Sequence, residues 1–210
     1  MRIDQVVSFA ILSLSIGACA KSDTSSHTDT AAVVTNIGRP QVDTTAASAA
    51  ATTLNLSSSA FAANGSIPTK YTCEGAGVSP PLAWSGAPSS TKSFALIVED
   101  PDAPDPAKPT RVVSHWVAYN IPATTTALAE NASKTGMPAG SAQGVNEGNK
   151  PSYMGPCPPI GSHRYFFKLY SLDTVLTGLK SPKKAYLHQA LQKHVVDSTQ
   201  LIGTYQKTKK

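Results

Sequence analysis

A chain of 210 residues with 18 Lys and Arg against 13 Asp and Glu, a formal charge of +5, suits one domain with appendages. The basic excess is modest, and Lys207, Lys209 and Lys210 hold much of it in a terminal tail. The folded basic stripe that nucleic-acid binding needs is therefore missing, and no nucleic-acid partner is expected.

Arg2 gives the chain a positive start, and VVSFAILSLSI, residues 6–16, is an apolar run too short to span a bilayer as a stable helix. It ends in IGAC. An aliphatic residue, two small residues and Cys19 resemble the lipobox of bacterial lipoprotein signal peptides. The resemblance implies cleavage after residue 18, diacylation of the Cys19 thiol, and attachment to a membrane through that lipid without spanning it. The alternative is an ordinary secretory signal with an incidental cysteine. Ala20, rather than aspartate, follows the cysteine, which resembles the sorting pattern for a Gram-negative outer membrane. The expected location is extracytoplasmic. Residues 19–53 are rich in Ala, Ser and Thr and poor in large apolar groups, so nothing offsets the entropy of ordering them. They read as a flexible tether, with His27 a bystander.

Residues 54–210 read as one mainly β domain. LNLSSSAF and TKSFALIVED are strand candidates, and the continuous apolar run in the second predicts burial on both faces. VVSHWVAYNIP alternates, which predicts Val113, His115, Val117 and Tyr119 on one face and Ser114, Trp116 and Ala118 on the other. HRYFFKLYSLD and LIGTYQK complete the strands, with proline and glycine marking the gaps. SPKKAYLHQALQKHVVD predicts a helix with Leu187, Ala190, Leu191 and Val195 on its apolar stripe. Ser181 is its expected N-cap and Pro182 its first residue, with His188 and His194 on the stripe or its flank.

Three segments carry chemistry. In LIVEDPDAPDPAKP the chain turns from apolar to acidic and sets Pro101, Pro104, Pro106 and Pro109 around Asp100 and Asp102. Proline stiffens the stretch, and in an extended chain acids two apart point the same way. His115 lies on an otherwise apolar and aromatic strand. In GPCPPIGSHRY, Gly155 and Gly161 permit unusual φ angles while Pro156, Pro158 and Pro159 stiffen the bend. His163 and Tyr165 then share one strand face, and Arg164 points away, as a structural partner for a buried acid or carbonyl.

DPDAP, SHW, GPCPP and GSHRY, in that order, resemble the phosphatidylethanolamine-binding protein family. KYTCEGAGVSPPLAW and LIGTY point to its bacterial Raf-kinase-inhibitor-like branch. The resemblance covers residues 54–210 and implies a large central antiparallel sheet packed on a smaller one, a β-sandwich with few short helices including a C-terminal one. It also implies an anion-binding cavity at one end of the sheets. Carried over by motif, that cavity holds Asp100, Asp102, Pro104, His115, Pro159, His163 and Tyr165, with Gly155, Pro156 and Cys157 lining it through their backbone. A cis bond is expected at Ala103–Pro104. The implied ligand is a phosphate-containing small molecule or a phospholipid head group. One division of labour places a head-group ammonium by Asp100 or Asp102 and the phosphate by His115 and His163, with the acids raising the histidine pKa values.

In an exported protein the two remaining cysteines, Cys73 and Cys157, are expected as a disulfide; the alternative is two buried thiols. The resemblance also implies a regulatory partner, which outside the cytoplasm leaves protease inhibition or lipid sensing, and a homodimer. No catalytic role, metal or cofactor is expected. Metal-assisted phosphoester hydrolysis is the enzymatic alternative, but no GxSxG elbow or HExxH motif is present.

Overall fold

The computed structural model describes residues 53–208. Cys19, the leader and the tether to residue 52 lie outside the described residues. The long apolar run around Leu96 forms β3 (Ser93–Ala103), flanked by β4 (Arg111–Pro122) and β7 (Ser162–Leu172). With β6 (Ala142–Gln143) and β8 (Val195–Gln206) they make an antiparallel five-stranded sheet in the order β6-β4-β3-β7-β8. A three-stranded antiparallel sheet, β1-β2-β5, is built from β1 (Asn55–Ser57), β2 (Leu82–Ser85) and β5 (Ala127–Leu128). This is the arrangement of a larger and a smaller sheet that the family resemblance implies.

Burial on both faces of β3 has two causes. Phe94, Leu96 and Val98 join Leu56, Trp84, Trp116 and Phe167 in the core that includes the small sheet. Ala95 and Ile97 face the other way, against Val117, Tyr119, Leu187 and Leu191 beneath helix α2 (Lys184–Leu191). Glu99 follows on that helix-facing side, where Lys168 and Lys184 both donate to its carboxylate. Burial alone would raise its pKa, but those two ammonium groups hold it below the usual range.

Several expectations need correction. The predicted strand runs further than its apolar part, since β3 continues through Asp100 and Asp102 to Ala103. An extra residue on β3 opposes β4 between the pairs Asp100–Val113 and Ala103–Arg111, and such an irregularity is where a proline can sit in a strand. The face assignment on β4 also fails midway. Val98 pairs with Trp116 and Glu99 with Ser114, leaving His115 unpaired across the strand. The bulge lets Trp116 and Ala118 enter the main core while Val117 and Tyr119 face α2, so His115 is not in phase with them. Helix α2 is shorter than expected. Ser181 has φ 42° and is not its cap; Lys183 takes the N-cap position without a side-chain bond, and Val195 belongs to β8. His194 lies past the helix and pairs with Asp173. A four-residue helix α1 (Ala132–Thr135) and a short 3-10 turn (Thr69–Tyr71) complete the elements. No helix among the described residues is long and apolar enough to cross a membrane.

Candidate anion-binding cavity

Three strand ends meet at one edge of the sandwich. β3 finishes there, while β4 and β7 begin there, so antiparallel pairing brings Asp100, Arg111, Val113, His115 and His163 together from distant parts of the chain. They surround a cavity of about 440 Å³ whose wall is completed by Ala103, Pro104, Glu147, Gly148, Met154, Gly155, Pro158, Pro159 and the two cysteines.

The acids do different jobs. Asp100 Oδ1 accepts the N–H of Asp102 at 2.8 Å, a turn closed by its own side chain, and Oδ2 accepts His163 Nδ1 at 2.7 Å. His163 Nε2 lies 3.0 Å from the Ile160 carbonyl. Both partners of the ring are acceptors, so any hydrogen the ring carries is already taken. His163 thus has no donor left for a ligand, which corrects the expected division of labour. Asp102 does not line the cavity. Its carboxylate takes Arg164 Nη2 at 2.7 Å, Nε at 2.9 Å and the Arg164 backbone N–H at 2.9 Å. Those bonds hold its pKa below the usual range, burial opposing them in part. Arg164 is the structural partner of a buried acid, as its outward direction suggests.

His115 is fastened twice to the loop opposite. Its carbonyl, released from the strand ladder by the bulge, accepts Met154 N–H at 2.8 Å, and its ring Nδ1 donates to the Met154 carbonyl at 2.7 Å. Nε2 is buried with no partner. Burial pushes the His115 pKa down, outweighing the upward pull of the Met154 carbonyl and of Asp100. The expectation that nearby acids keep it cationic is therefore corrected. Tyr165 packs edge-on against it, centroids 5.2 Å apart, with a buried hydroxyl that also lacks a partner and a pKa driven up by burial. Tyr165 stands behind the cavity wall rather than in it.

The 153–157 segment is tied to the 71–73 segment. Cys73 and Cys157 form the disulfide, Cα atoms 5.4 Å apart; Cys73 N–H donates to the Pro156 carbonyl at 3.0 Å, and Tyr153 Oη donates to the Tyr71 carbonyl. Gly155 does not use a left-handed φ. A Cβ there would come within 2.9 Å of Thr72 backbone atoms, so close approach is what requires glycine, whereas Gly161 does sit at φ 68°. Pro156 lies off the lining, and Ala103–Pro104 is cis as expected.

Sequence reasoning missed Arg111, Val113, Glu147 and Met154. The first two were within reach, since 111, 113 and 115 alternate on one strand; nothing local marks Glu147 or Met154. Among the described residues Arg111 has no ion-pair partner and no group of three or more metal-ligating side chains occurs.

Comparison with known proteins agrees with this architecture. Residues 57–206 match the family model described as phosphatidylethanolamine-binding protein. The chain is 47% identical over 155 residues to a UPF0098 protein of Methanothermobacter thermautotrophicus, covering 73% of this chain and 99% of that one. It is 44% identical over 155 residues to a UPF0098 protein of Chlamydia pneumoniae, covering 74% and 100%. Among solved structures it resembles CT736 of Chlamydia trachomatis, a phosphatidylethanolamine-binding protein homologue, with TM-score 0.67, 39% identity and coverage of 74% and 99%. It also resembles E. coli YbcL, described as a member of the mammalian family of that name, with TM-score 0.68, 32% identity and the same coverage. This chain belongs to the phosphatidylethanolamine-binding protein family.

Proposed function

We propose that the chain is a non-catalytic binding protein, anchored outside the cytoplasm through lipidated Cys19, whose cavity takes a phosphate-containing small ligand or head group. The observation that carries this reading is Arg111, a guanidinium without an ion-pair partner among the described residues, at a cavity whose His163 is already engaged with Asp100. Guanidinium matches phosphate oxygens in shape and charge. The remaining wall is largely apolar, with Pro104, Val113, Met154, Pro158 and Pro159, which suits the organic part of a phosphate ester. Glu147 lies on the wall as well and can meet the ammonium of a zwitterionic ligand.

Titration calorimetry with inorganic phosphate tests the reading. Arg111→Gln is expected to weaken binding about tenfold or more, as loss of a charge-assisted bond does. Equal binding by both proteins sinks it. The anchor is tested separately: the wild type is expected to incorporate labelled palmitate in a bacterial host, and Cys19→Ser not to.

A further inference from the structure

The hydrogen-bond inventory of the cavity bears on which form of phosphate it accepts, an inference that rests on the phosphate reading above. The Met154 carbonyl has no hydrogen to give, so His115 Nδ1 must donate to it. In a neutral ring Nε2 is then an acceptor, and it is buried without a partner. The ring is part of the cavity wall. A buried acceptor left unmet is costly. A fully ionised oxyanion brings only lone pairs and is repelled, whereas one that keeps a hydrogen can satisfy Nε2 and still offer oxygens to Arg111. We propose that the cavity selects phosphate that carries a hydrogen, either inorganic hydrogen phosphate or the monoanion of a phosphate monoester, over sulfate and phosphodiesters, which carry none.

The charged and titratable groups around His115 come from every neighbouring element: Asp100 on β3, His163 and Tyr165 on β7, Glu147 on the loop after β6, and Arg111 on β4 itself. The two acids favour a charged ring and His163 opposes it, but burial is the largest influence and keeps it neutral. A monoester has its second pKa near about 6, so above that its affinity is expected to fall about tenfold per pH unit as the hydrogen is lost. Inorganic phosphate retains a hydrogen throughout and changes far less. Once acid protonates His115, Nε2 becomes a donor, and sulfate should begin to bind.

The test compares four probes by calorimetry on the full-length protein: inorganic phosphate, sulfate, O-phosphoethanolamine and glycerophosphoethanolamine, the last a diester with the chemistry of a lipid head group. At neutral pH phosphate is expected to bind at least about tenfold more tightly than sulfate, and below about pH 6, where the monoester keeps its hydrogen, the monoester should outbind the diester by a similar factor. Nitrogen-15 NMR of the imidazole gives an independent readout: Nε2 should resonate as an unprotonated nitrogen and shift with phosphate but not with sulfate. His115→Asn keeps an N–H donor for the Met154 carbonyl but is too short to place an acceptor where Nε2 lies, and should abolish the preference. If that variant does not fold, the wild-type comparison still decides. Similar affinities within either pair overturn the assignment of a hydrogen while leaving the phosphate reading intact. No binding by any probe overturns that reading and this one with it.

Discussion

Asp100 and Asp102 are two residues apart and chemically identical, yet the fold gives one to the cavity and the other to a clamp. The irregularity in β3 turns Asp102 toward Arg164, where three hydrogen bonds tie the end of β3 to the start of β7 next to His163. Asp102→Ala is expected to cost about 2 kcal/mol, less than a fully buried pair because the Arg164 side chain is half exposed. The folded-state pKa of Asp102 is depressed, so its contribution is present above the unfolded pKa and lost as pH falls through the lower folded value. Asp102→Asn should therefore flatten the loss of stability in acid, below the ordinary aspartate range, which urea titrations at stepped pH can measure. Sequence alone identifies both acids as special and Arg164 as the partner of a buried acid or carbonyl. It could not divide their roles, because that depends on one inserted residue in a strand pairing that spans the chain.

At the scale of elements, strands were more legible than the helix. Period-two alternation in HRYFFKLYSLD and the apolar run in SFALIV survive in β7 and β3 because both faces of the large sheet are covered. Helical spacing with Leu191 carries the predicted helix on to Val195, whose backbone instead starts β8 and pairs with Leu172 of β7, and tertiary pairing overrides local pattern. The start of α2 is held by the contact of Lys184 with Glu99 on β3 and by the backbone bridge of Lys183 with Val145. Glu99→Gln should loosen that docking and cost about 1–2 kcal/mol, the partial exposure of both lysines limiting the loss. Hydrogen exchange at Leu187 and Leu191 should accelerate while β3 is little affected; uniform acceleration would mean the charge serves the whole sheet rather than the helix. Gly155→Ala acts on a loop instead. Its Cβ meets backbone atoms of Tyr71 and Thr72, which cannot rotate aside, so overpacking of about 1–3 kcal/mol is expected, read as a lower denaturation midpoint.

For the molecule as a whole, the cavity exists because segments around residues 73, 100, 115 and 157 meet at one edge of the sandwich. The Cys73–Cys157 bridge closes 84 residues and encloses all of β3 and β4 within its loop. In the chain-entropy model a loop of that length stabilises by about 4–5 kcal/mol, chiefly by restricting the unfolded chain. The native contacts joining the two segments, Cys73 N–H to the Pro156 carbonyl and Tyr153 to the Tyr71 carbonyl, do not need the sulfur bond. The double variant Cys73→Ser, Cys157→Ser should therefore keep its circular dichroism while losing several kcal/mol in urea. Its m-value should rise, because the unfolded chain, no longer cross-linked, exposes more surface. A drop in stability with an unchanged m-value would instead locate the effect in the folded state, in the packing of two sulfurs that form part of the cavity wall.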